Sequence, residues 1–110
     1  MLFRSSPGLA EFIATRELGE MLLAAGHHAL AHRALGRADH RALMLAARAP
    51  TLLLVNQDDL CLEETRQSAR LMPAATLVEF DYPEAFVADE HPAEFADVID
   101  RFISDAGAAG

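Results

Sequence analysis

Two adjacent carboxylates, Asp58 and Asp59, follow the apolar run Thr51-Leu52-Leu53-Leu54-Val55, and the only cysteine, Cys61, comes two residues later. A carboxylate directly after a buried strand sits at a sheet tip, where it can orient an imidazole or hold a proton. Farther along, His91 stands in an acid-rich loop running from Asp81 to Glu90. Upstream, His28 and His32 are four residues apart, so on a helix they share a face and can share a metal ion, with Asp39 or His40 as a third ligand. No His-Glu-x-x-His motif accompanies them, and the competing expectation is a plain polar helix face. Cys61 has a similar pair of readings. It is either a reactive thiol near a carboxylate or a small buried hydrophobe, and no basic neighbour in sequence lowers its pKa. The acids between Asp81 and Glu90 read as a solvated loop.

Any nucleophilic chemistry also needs a nucleophile. Ser5, Ser6, Ser68 and Ser104 all lack the flanking glycines of a Gly-x-Ser-x-Gly elbow, and no such pentapeptide occurs. No motif calls for a cofactor.

The elements that must position these residues follow from periodicity. Ser6-Pro7 reads as a cap followed by proline at a first helical position, with Leu9, Phe12, Ile13, Leu18, Met21 and Leu22 at helical spacing and an end near Gly26. A second helix over His27–Leu35 has Gly36 placed like a C′ residue, and Asp39 is placed to cap a third helix reaching Arg48. Residues 1–48 therefore read as an all-helical segment.

At Ala49-Pro50 the period changes. Thr51–Val55 is unalternating, which suits a parallel strand covered on both faces. Glu63-Glu64 open a helix that stops before Pro73, and Thr76–Phe80 forms a second strand, so the helix is the crossover that two parallel strands require. Phe95, Val98, Ile99, Phe102 and Ile103 mark one stripe of a last helix. The fold class expected is α/β, a helical N-terminal segment followed by β-α-β-α over residues 49–106 with two adjacent parallel strands, packed as one compact unit, and residues 107–110 as a frayed tail.

With 110 residues and 52% apolar content, one small core is the limit. The net charge of −8 is unevenly spread, and residues 51–110 hold thirteen acids against three arginines. Such a surface repels phosphate backbones and anionic headgroups, which argues against nucleic-acid and membrane-surface roles. A single cysteine permits no intrachain disulfide, no apolar run approaches a membrane span, and Met1–Pro7 lacks the pattern of a signal peptide, so the expected location is cytoplasmic.

The order Pro50-Thr51-Leu52, apolar run, Asn56-Gln57-Asp58-Asp59, crossover helix, strand, loop and Pro92-Ala93-Glu94-Phe95 resembles the closing third of an α/β-hydrolase, over about residues 27–103. Ala38-Asp39-His40-Arg41 is similar to the stretch that leads from the family's cap back into its sheet. The resemblance implies an esterase- or lactonase-like parent working through a Ser-His-Asp triad. It places Asp59 on the triad acid, with Asp58 as the adjacent alternative, and Asn56 where a glycine is usual, a position that asparagine can fill with positive φ. The family's Gly-His-Phe falls on Glu84-Ala85-Phe86, so the catalytic histidine is replaced by Ala85. His91 lies about six residues beyond that place, and a capping or solvated role is expected for it rather than that of the base. The resemblance thus implies a truncated or split hydrolase that is not competent alone and takes a small ester or lactone only when completed by a second hydrolase half. The alternative is a non-catalytic assembly module, which forms a homo-oligomer or completes a partner's sheet through its open strand edges.

Overall fold

The computed structural model describes residues 8–109. It is a mixed α/β arrangement of six helices and two strands: α1 (Leu9–Ala24), α2 (His28–Arg37), α3 (His40–Ala46), β1 (Thr51–Asn56), α4 (Leu62–Leu71), β2 (Ala75–Phe80), α5 (Val87–Glu90) and α6 (Pro92–Ala109). Ser6 and Pro7, read as the opening cap, lie outside the described residues. Gly8 precedes α1 with φ of 86°, a conformation costly to a side-chain-bearing residue.

The strands pair in parallel, from Thr51 opposite Ala75 to Asn56 opposite Phe80. Successive side chains alternate between faces, so Leu52, Leu54 and Asn56 share one face with Thr76, Val78 and Phe80. α6 lies over this face, where Phe95 stacks on Phe80 with ring centroids 6.1 Å apart. The opposite face carries Glu79, which Arg66 of α4 grips through two hydrogen bonds of 2.8 and 2.7 Å. Crossover helix and final helix therefore sandwich a sheet of two strands.

The described core is small: Ile13, Val55, Phe80 and Val87 are its buried apolar residues. α1 reaches it through Ile13 alone. Phe12, Leu18, Met21 and Leu22, expected on its inner stripe, are exposed, as are Leu23, Leu30, Leu35 and Leu43. Apolar residues surround α1 rather than lining one side, so it cannot bury them all against a single layer. The Cα radius of gyration is 16.3 Å, where a compact chain of this length has about 13 Å.

Four local expectations are corrected. Gly36 does not terminate α2 but lies inside it, and the stop comes at Ala38, whose extended backbone leads to the Asp39 cap. Asp39 does cap α3, accepting from the Ala42 N–H at 3.0 Å, but α3 ends at Ala46. Of the tail expected to fray, residues 107–109 continue α6, and residue 110 lies outside the described residues. One interior glycine costs about 1 kcal/mol, which the neighbouring alanines offset. A short helix, α5, stands in the loop where only solvated acids were expected.

Candidate functional site

β1 ends on Asn56, and the chain then turns so that the Asp59 N–H donates to the Asn56 carbonyl at 3.0 Å. Asp59 Oδ1 in turn accepts from the Cys61 N–H at 2.7 Å. The carboxylate is therefore held at the sheet tip by its own turn, with exposure to solvent. Asp58 is exposed beside it. Cys61 is exposed rather than buried, because it sits in the turn ahead of α4 instead of on the packed face.

The post-β2 loop is fastened to this tip by Asn56, which is 7% exposed. Its Nδ2 donates to the carbonyls of Tyr82 at 2.9 Å and Glu84 at 3.1 Å, while its Oδ1 accepts from the Tyr82 N–H at 3.0 Å. Every polar group of the side chain is used. This corrects the expectation of a positive-φ turn residue, since among the described residues no side-chain-bearing residue has positive φ. Asparagine is there for its amide, which reads two carbonyls and one N–H at once.

Held in this way, the loop forms one wall of a cleft of about 250 Å³ whose lining includes Asp59, Asn56, Phe80, Ala85, Val87 and Asp89. Asp59 and Ala85 therefore both line this cleft, one in the turn after β1 and the other in the loop after β2. Asp89 on the far wall is clamped by Arg16 of α1 through bonds of 2.8 and 3.1 Å. That guanidinium holds the Asp89 carboxyl below its usual range. Arg66 does the same to Glu79.

His91 does not turn toward Asp59. Its Nε2 lies 2.9 Å from Glu84 Oε2. Its ring stacks on Tyr82 with centroids 3.7 Å apart. Its carbonyl receives the Phe95 N–H at 3.0 Å at the start of α6. The backbone thus caps the helix, while the half-buried side chain is neither capping nor solvated. The acidic loop is likewise not simply solvated: Glu84 and Asp89 each hold a cationic or imidazole partner. These pairings escape the sequence because the partners lie seven and seventy-three residues away.

His28 and His32 meet with their Nε2 atoms 2.9 Å apart on α2. His40 is directed to the Leu35 carbonyl, and Asp39 is spent on its cap. Among the described residues no group of three or more metal-ligating side chains forms. Nor is any helix among them long and apolar enough to cross a membrane.

The arrangement places Asp59 among mostly apolar residues in the lining of one cleft, while the His91 imidazole is engaged by Glu84. Comparison with protein-family models, with known proteins and with solved structures finds no match for the chain.

Proposed function

We propose that this chain is the acid-bearing C-terminal unit of an α/β-hydrolase-type protein, with Asp59 in the place of the triad acid and Ala85 in the place of the histidine. The supporting observation is that two parallel strands bring these two residues, 26 apart in sequence, to one cleft at their C-terminal ends. Ligands of open parallel sheets bind at that end. In a complete site the carboxylate would orient an imidazole and stabilise its protonated form while a serine attacks an ester or lactone carbonyl. Here Ala85 has no proton-accepting atom, so the unit does not hydrolyse esters unaided.

Two measurements test this. The purified chain should show no turnover of a p-nitrophenyl ester above that of buffer, and turnover abolished by Asp59→Ala would refute the assigned inactivity. The geometry is tested by Ala85→His. The introduced imidazole should titrate above the ordinary value of about 6.5 by NMR and return toward it in Ala85→His/Asp59→Ala, because an adjacent carboxylate favours the charged ring. An imidazole indifferent to Asp59 would remove the basis of the assignment.

A further inference from the structure

α2 is weakly anchored: it has ten residues, none of them buried, and no side-chain cap at its start. An isolated helix shorter than about 12–15 residues is marginal in water. Across its first turn lie His28 and His32, whose Nε2 atoms approach to 2.9 Å with the rings inclined at 66°.

We infer that His28 and His32 form a two-nitrogen site for a divalent first-row metal ion that takes its ligands at right angles, nickel(II) or copper(II), and that the bound ion staples α2. This inference does not rest on the hydrolase assignment.

Three observations carry it, and the first is spacing. Imidazole nitrogens bound at about 2.0–2.1 Å lie about 2.9 Å apart when they subtend a right angle at the ion, and about 3.3–3.4 Å apart at the tetrahedral angle. The pair stands at the shorter of these separations, which suits tetragonal ions better than zinc. The second is the donor set. Asp39 caps α3, His40 reaches the Leu35 carbonyl, and among the described residues no third metal-ligating side chain completes a group with the pair. Two neutral nitrogens without a carboxylate suit nickel or copper rather than calcium or magnesium, and water fills the other positions. The third is access. Both residues are exposed, so an ion arrives from solvent and the rings turn toward it without disturbing packed neighbours.

In the metal-free chain one ring donates its Nε2–H to the other. Binding puts the ion in place of that proton. The donor ring moves its proton to Nδ1 by exchange with water, both Nε2 lone pairs turn to the metal, and neutral rings release no net proton. No electron is transferred. An unfolded α2 does not hold residues 28 and 32 at this separation, so binding favours the helix.

The test uses the full chain without a purification tag, with nickel chloride as the probe, because copper(II) would oxidise the exposed Cys61 thiol. Calorimetry should show one saturable nickel site per chain, with zinc bound more weakly. Hydrogen exchange read by mass spectrometry should slow in α2 by about tenfold when free nickel is about ten times its Kd, and stay unchanged in β1 and β2. His28→Gln and His32→Gln should each raise the nickel Kd at least about tenfold and abolish the protection of α2. Absence of uptake overturns the inference. So does uptake that survives both glutamine variants, and so does zinc bound more tightly than nickel. Binding at the pair that leaves α2 exchange unchanged also overturns it, since that ion would not bridge the turn.

Discussion

Asn56 concentrates more of the site's organisation in one side chain than Asp59 does. It is buried, ends β1 and holds the loop that follows β2 by three hydrogen bonds. Replacing it by alanine leaves two carbonyls and an N–H without protein partners. Asn56→Ala should lower unfolding free energy by about 2 kcal/mol in a denaturant titration. Asn56→Asp should do at least as badly despite its similar shape, because a carboxylate would face the carbonyls of Tyr82 and Glu84 with nothing to donate. At this scale the sequence was legible wherever the chemistry was local. Asp39 beside the start of α3 was recognisable as a cap, and Asp59 could be placed at a strand end from the apolar run before it. The partner of Asn56 was not legible, since it is defined by a loop 26 residues away.

Among the elements, the strand pair and its crossover helix were readable because an uncharged apolar run and an acid-led helix admit few alternatives. α5 was not, since four residues span barely one turn and show no periodicity. Its placement depends on Val87 entering the core and on Arg16 reaching Asp89. Two carboxylates act at this level. Asp89 ties α1 to α5, Glu79 ties β2 to α4, and both are held below their ordinary range by an arginine. A depressed carboxylate contributes stability that is fully present above its unfolded value of about 4 and is lost as pH falls through the lower folded value. The melting temperature should therefore drop as pH is lowered through and below about 4, and Arg66→Ala should flatten that drop while lowering the plateau at neutral pH. The two sides of α1 predict opposite behaviours. Ile13→Ala should cost about 2–4 kcal/mol, whereas Leu23→Ala, at a site 85% exposed, should change stability by less than about 0.5 kcal/mol in the same titration.

At the scale of the whole molecule, the sandwich over residues 49–106 and the helices before it differ in how they are held. The former packs apolar residues on both faces of the sheet. The latter carries a large exposed apolar surface on Leu18, Met21, Leu22, Leu30 and Leu35. Helical spacing in the first half correctly announces helices and wrongly announces a stripe turned toward a core, because the residues that would meet that stripe are not in the sheet of two strands. Amide exchange should report this difference directly, with α1–α3 protons exchanging faster than those of β1, β2 and α6 by orders of magnitude.

The Arg16–Asp89 clamp spans seventy-three residues of sequence and ends on the wall of the cleft. One wall of that cleft is therefore held by a helix that lies far from it in sequence and sends only Ile13 into the core. Any perturbation that detaches the helix would take from that wall the guanidinium that anchors its carboxylate.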